Sequence, residues 1–331
     1  MTHPMRRHLP VVIILFGLMV LAIVLSPLVG STPINLFRVF DRSIPFENNI
    51  DAQIFFIARL PRAIAGALVG GTLAAAGVVF QGLLRNALAT PYTLGVSAGA
   101  SLGAMLAITF GATLPFAGAA PASLAGAMLA VGVVYLLATA RQSGLSTTVL
   151  LLAGVTLNSF FSALILFVQY LANFEDLFRA MRWLMGSLDV TSYAPIVGAM
   201  PFVVVAFVAF AWLARPLNLL SLGADAAGAR GVNVRSVQRA AFFSASLATG
   251  AAVSVGGPIG FVGIIVPHLV RLMVGSDHRL VLPASIFLGA GFLVACDVLA
   301  RTLMAPMELP VGIVTAMIGG PFFLWMLLRR R

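Results

Sequence analysis

Long apolar runs broken by short polar turns dominate the chain. Runs of spanning length fall at residues 11–29, 63–84, 92–110, 116–140, 147–171, 194–213, 240–255, 259–274, 281–300 and 311–328, most of them close to the roughly 17–25 residues that carry a helix through a bilayer core. Backbone groups in hydrocarbon must be satisfied within their own segment, so these runs are predicted to be helices, about ten in all. The eighth holds Pro267 in its middle and is separated from the seventh only by Gly256, Gly257 and Pro258, which predicts a broken or partial span. Two longer loops, 31–58 and 173–190, carry amphipathic stretches: residues 34–42, and the series Phe174, Phe178, Met181, Trp183 and Leu184 set among charges. Both are expected to lie along a membrane surface.

Small residues repeat every fourth position on two of the predicted helices. Gly95, Gly99, Gly103, Ala107 and Gly111 form one stripe and Gly66, Gly70 and Ala74 another, surfaces along which a neighbouring backbone can approach closely. The polar segment 215–239 interrupts the second half; it carries four arginines and a single acidic residue, Asp225, and must lie in water. Within it, residues 223–231 read as a short Ala-rich helix that starts near Gly223, places Asp225 at its positive end and stops at Gly231 as a C′ glycine.

Composition agrees with a membrane bundle. At 331 residues, 60% hydrophobic and 9% charged, the chain has too little polar surface to cover a soluble globule of its length. Run 11–29 follows Arg6 and Arg7 as a secretory signal would, but it exceeds a usual h-region and no A-x-A cleavage pattern follows, so it reads as an uncleaved first span. The lone cysteine, Cys296, excludes an internal disulfide framework and reads as a small core residue. All twenty basic residues are arginine. Without lysine there is no P-loop and no Schiff-base chemistry, so any ATP hydrolysis belongs to another subunit. The histidines His3, His8, His268 and His278 form no metal-ligand spacing; His268, after Pro267, reads as a local hydrogen-bonding residue. No cofactor, metal or nucleic-acid partner is expected, and no catalytic residue.

Charge sets orientation. With ten spans and the N-terminus inside, thirteen arginines, including Arg85, Arg141, Arg215, Arg230, Arg271 and Arg279, fall on the cytoplasmic side. Seven fall outside: Arg38, Arg42, Arg59, Arg62, Arg179, Arg182 and Arg301. The positive-inside rule therefore predicts a multi-pass protein of the cell's inner (plasma) membrane with both termini cytoplasmic. No Asp or Glu falls in the middle of a span, which disfavours an ion-coupled secondary transporter. No filter sequence or ring of like charges suggests a channel. A membrane enzyme would need convergent polar groups, and only Asp297 with Arg301, four apart on one helix face, qualifies; the pair reads as structural.

Particular wording then adds a family. ARLPRAIAGALVGG (58–71), FQGLLRNALATPYTLGVSAGASLGA (80–104), LLLAGVTLNSFFSA (150–163), RWLMGSL (182–188), GPIGFVGIIVPHLVRLMVGSDHRLVLP (257–283) and ELPVGIVTAMIGGPFFLWML (308–327) together resemble the FecCD-type permease subunits of iron-chelate and cobalamin uptake ABC transporters. The likeness covers nearly the whole chain. It implies an all-α, type II importer permease with residues 1–331 as a single transmembrane domain and 215–239 as the cytoplasmic coupling loop. Implied partners are a cytoplasmic ABC ATPase, a periplasmic or lipid-anchored substrate-binding protein and a second permease subunit, in a homodimer or a pair of homologues.

The resemblance also assigns residues. Gly223, Asp225, Gly228, Arg230 and Gly231 match the loop that docks into the ATPase; where the family often has two acidic residues, this chain has Ala224 and then Asp225. Arg59 and Arg62 of RLPR, with Arg301 of DVLAR, match arginines that receive acidic residues of the binding protein, a role that suits the guanidinium fork. Taken alone, each would read as an arginine reaching to headgroups. Asn86, Leu88, Ser146 and Thr147 match positions that narrow the pathway toward the cytoplasm; as loop residues they need no function, and Ser146 is also a plausible N-cap. A pathway lined by small and apolar side chains suits a bulky chelate. The expected cargo is a ferric siderophore, with haem or cobalamin as alternatives.

Overall fold

The computed structural model describes residues 3–111, 118–140 and 147–329, and the elements in them are helical. In chain order they are α1 (His3–Leu25), α2 (Leu36–Val39), α3 (Ile50–Gln53), α4 (Leu60–Leu84), α5 (Val96–Phe110), α6 (Ala119–Thr139) and α7 (Thr147–Leu171). There follow α8 (Phe174–Leu184), α9 (Ala194–Leu220), α10 (Ala224–Gly228), α11 (Val234–Gly256), α12 (Val262–Val274), α13 (His278–Thr302) and α14 (Val311–Arg329). Six helices are long and apolar enough to cross a bilayer unaided; α5, α12 and α14 are shorter apolar helices. With α11, which is buried from Ala248 to Gly256, they account for all ten apolar runs.

Helix α4 is the hub. It is apolar on every side and buried without a break from Val69 to Leu84, as a helix in the middle of a bundle must be. It packs most extensively against α13 and α11 and also meets α12 and α9. The small-residue stripes explain how closely: a Cβ added at Gly70 or Gly77 would collide with the backbone of Gly289 or Gly263, and one added at Gly103 with Ala122 of α6. Such close backbone approach is the means by which helices associate where lipid leaves no hydrophobic drive between them.

One test follows directly. A Cβ at Gly289 would stand 2.5 Å from the Ala74 Cβ and 2.6 Å from the Gly70 carbonyl oxygen, so Gly289→Leu should force α4 and α13 apart at a cost of about 1–3 kcal/mol. Gly132→Leu on α6, where the added Cβ meets nothing within 4 Å, should stay within about 0.5 kcal/mol of the wild type. Thermal melting of the detergent-purified protein separates the two.

Three expected boundaries move. Run 92–110 is not one helix: Thr90 caps a short 3₁₀ turn, Pro91–Leu94, and Gly95 at φ 76° ends it before α5 begins at Val96. Helix α9 continues past 213, through Arg215 and Pro216, because Leu217 and Leu220 are buried in the core and that packing outweighs a local stop signal. Helix α11 begins at Val234 rather than 240, capped by the Asn233 side chain, which accepts from the Ser236 amide at 3.1 Å. The polar loop 215–239 thereby narrows to residues 221–233. The broken eighth span is present: 257–260 are non-helical, Gly257 and Phe261 adopt φ near 67°, and α12 is a 13-residue partial helix.

The amphipathic stretch after residue 173 forms the helix α8. Asn173 caps it by accepting from the Asp176 amide at 2.9 Å, while Phe174, Phe178 and Met181 are exposed. The other stretch, 34–42, yields only the short α2. Cys296 is buried, as expected of a small core residue.

Candidate functional site

At one end of the bundle Arg59, Arg62 and Arg301 converge. Arg62 is held by two carboxylates, Asp297 Oδ1 at 2.8 Å from Nε and Glu308 Oε2 at 2.5 Å from Nη1. Arg301, one turn beyond Asp297 on α13, donates from Nε to Asp297 Oδ2 at 3.0 Å. It also donates to the Val29 carbonyl at 2.9 Å and to the Ser26 hydroxyl at 3.0 Å. Arg59, the last residue of a π-helical segment running from Ile54, donates to the carbonyls of Pro27 and Thr32. All three arginines and Asp297 are more than nine-tenths buried, so none extends to lipid headgroups. They tie the connection after α1 to the adjoining ends of α4 and α13, and three guanidiniums face two carboxylates.

The excess positive charge is placed on one residue. Among the described residues Arg59 has no carboxylate partner, and it lines, with Arg62, Arg301 and Glu308, a cleft of about 170 Å³ that also touches Gly30, Ser31 and Thr32. The sequence indicated the arginines and the Asp297–Arg301 spacing. It gave no sign of Glu308 as a partner of Arg62, since 246 positions separate them.

The opposite end carries the polar loop. Gln81 lies nineteen residues along α4 from Arg62, about 28 Å at the helical rise, close to the roughly 30 Å of a bilayer core. Beside that end stands α10, with Gly223 at φ 115° before it and Asp225 in its first turn. The Gly231 amide donates to the Gly228 carbonyl at 2.9 Å and the Val232 amide to the Ala227 carbonyl at 3.1 Å. This is a Schellman ending with Gly231, φ 80°, as C′. Asp225, Gly228 and Arg230 are exposed and only Ala227 of the helix is buried, so α10 is held by its C-terminal ending and Ala227 and presents its other faces to solvent.

Asn86 and Leu88 are exposed on the turn that follows α4, where the Asn86 side chain accepts from the Leu88 amide at 2.9 Å. Arg85 before them adopts φ 50°. Thr147 is the first residue of α7; Ser146 lies outside the described residues. The sequence reading missed a second polar feature at this end: Arg271 of α12 donates to Gln81 Oε1, and Gln81 Nε2 donates to the Gly263 carbonyl at 3.0 Å. A glutamine and an arginine within apolar runs were the available signal.

Comparison with known proteins places these ends in context. The pattern of the FecCD transport family matches residues 18–329. The cobalamin import system permease protein BtuC of Halobacterium salinarum is 44% identical over 269 residues, spanning 81% of this chain and 72% of that one. The hemin transport system permease protein HmuU of Yersinia pestis is 37% identical over 320 residues, with 95% of each chain covered. Among solved structures, an inward-facing conformation of a metal-chelate type ABC transporter superposes with a TM-score of 0.82 at 31% identity, covering 96% of this chain and 98% of that one.

Proposed function

The chain belongs to the FecCD transport family, and from that premise we propose that it is the permease subunit of an ABC importer that carries a ferric siderophore or a related metal chelate. The relatives named for cobalamin and for hemin make those two cargoes the alternatives. In this reading the chain hydrolyses nothing itself. Two copies enclose the pathway in the inner membrane, with both termini in the cytoplasm.

The observation that carries the proposal is the placement of two unlike polar sites at the two ends of α4, about one bilayer thickness apart. The exposed α10 loop, with Gly223, Asp225, Gly228, Arg230 and Gly231, is the part a cytoplasmic ATPase grips. Asn86, Leu88, Ser146 and Thr147 narrow the pathway on that side. The cleft with Arg59, Arg62 and Arg301 receives acidic side chains of a substrate-binding protein. Ion pairing supports unequal roles within it: Arg62 and Arg301 are committed to Asp297 and Glu308, whereas Arg59 has only carbonyl partners and can take a new carboxylate.

The test uses the assembled complex with its ATPase and cargo-loaded binding protein. Loaded binding protein should stimulate ATP turnover. Arg59→Gln should slow its association and flatten the salt dependence of that rate, as loss of a steering charge does, with ATPase association intact and some stability lost with the ties to the Pro27 and Thr32 carbonyls. Absence of stimulation in the wild-type complex would remove the importer reading. Unchanged docking in Arg59→Gln would leave that arginine a purely internal tie.

A further inference from the structure

Beside α10, the bundle contains a polar cavity of about 280 Å³ lined by Gln81, Arg85, Asn86, Ser221, Arg271 and Ser276, with His278 in its wall. Its charge is one-sided. It is lined by two arginines and no carboxylate, and among the described residues neither Arg85 nor Arg271 forms an ion pair. The neighbouring acid, Asp277, is already taken by Arg279 at 3.1 Å and by the Asn218 side chain at 2.7 Å. Arg271 donates to Gln81 Oε1, which leaves most of its five N–H groups without a protein acceptor. Around these guanidiniums stand the Asn86 amide and the Ser276 hydroxyl, while the Ser221 hydroxyl in the same wall already donates to the Asn218 carbonyl at 2.7 Å. Converging donors around uncompensated positive charge suit a phosphate-type oxyanion.

A second observation says where such an oxyanion would come from. His278 is also in the wall of a mainly apolar cavity of about 310 Å³, bounded by Phe207, Phe210, Ala211, Leu282 and Ile286 on α9 and α13, with Arg279, paired to Asp277, at its edge. The His278 ring stands between the two spaces, tied through Nδ1 to Asn218 Oδ1 at 2.7 Å. Its Nε2 is buried without a hydrogen-bond partner. The α9 face beside the apolar cavity exposes Val208 and Trp212, as a lipid-facing surface does. A basic cavity adjoining an apolar one near the end of a spanning helix matches the two halves of a phospholipid, and basic pockets between membrane helices are where anionic headgroups bind.

We propose that this end of the protein holds an anionic phospholipid, its phosphate between Arg85 and Arg271 and an acyl chain against Phe207, Ala211 and Ile286. Bound there, the lipid would link the turn after α4 to α12 and to the end of α9, the helix that leads into α10 and packs against it. The site stands apart from the outer arginine cleft and does not depend on which cargo is carried.

The experiment is native mass spectrometry of the full chain purified in mild detergent, with added phosphatidylglycerol or phosphatidylcholine. The wild type should retain phosphatidylglycerol saturably and in preference to phosphatidylcholine. Arg85→Asn keeps a residue that tolerates the left-handed turn and should weaken phosphatidylglycerol about fivefold, the factor equivalent to about 1 kcal/mol for one arginine near anionic lipid. Arg85→Asn/Arg271→Gln should abolish the preference, and Ala211→Trp should weaken retention by filling the apolar side while leaving both arginines. Equal retention of the two lipids, a preference indifferent to Arg85→Asn, or saturation by inorganic phosphate with no lipid retained would each overturn the proposal.

Discussion

Arg301→Leu should cost about 3–5 kcal/mol of folding stability, the scale of breaking a buried ion pair on one side. Asp297 is 1% exposed and its carboxylate is shared between Arg62 and Arg301. Removing Arg301 leaves half of that carboxylate without its partner and frees the Val29 carbonyl and the Ser26 hydroxyl from the donor that now satisfies them. The connection after α1 should then loosen from α13. Arg182→Leu is the contrast: that arginine pairs with Asp189 at 3.0 Å but both are more than half exposed, and such pairs are worth about 0–1 kcal/mol. The Asp297→Leu/Arg301→Leu double variant should recover part of the loss, because Arg62 keeps Glu308 and an apolar pair replaces a desolvated ionic one. Detergent thermal melts followed by size-exclusion fluorescence give the ranking. Arg301→Leu as stable as Arg182→Leu would show that the cluster does not hold the bundle together.

The second large effect concerns α10 and leaves the fold alone. A Cβ at Gly228 meets nothing within 4 Å, and Asp225 is exposed in the first turn, so Gly228→Trp and Asp225→Arg should insert into the membrane and melt like the wild type. With five residues, α10 is too short to be stable from its own propensity; its position comes from the Schellman ending and from Ala227 in the core. If a partner ATPase grips this helix, an indole at Gly228 obstructs the fit and a positive charge at Asp225 opposes the helix dipole. Cargo-stimulated ATP turnover should fall at least about tenfold, equivalent to about 1.4 kcal/mol of lost coupling, together with co-purification of the ATPase. Wild-type values for both variants would make 221–233 an ordinary exposed loop.

Much of this was legible in the sequence, and what was not has physical causes. Run 147–171 ends with α7 at Leu171 because an apolar run of that length can carry a helix through a bilayer on its own composition. The partial span after Gly256, Gly257 and Pro258 could be read because those residues cannot continue a helix. Arg215 and Pro216 misled: taken as the end of a span, they lie inside α9, where burial of Leu217 and Leu220 carries the helix onward. The α10 ending was visible because a C′ glycine is a local signal. The arginines could be named from the spacing in RLPR and DVLAR but their burial could not, since it depends on Glu308 and on carbonyls of the connection after α1. The cavity at Gln81 and Arg271 depends likewise on contact across 190 positions.

In the proposed role this chain moves its cargo only with ATP hydrolysed by another polypeptide. The most direct measurement is flux of a ferric siderophore, haem and cobalamin, each with its binding protein, into liposomes containing the chain with or without the partner ATPase. One of these cargoes should accumulate only when the ATPase and ATP are both present, with no response to a proton or sodium gradient. Gradient-driven uptake by the chain alone would contradict it.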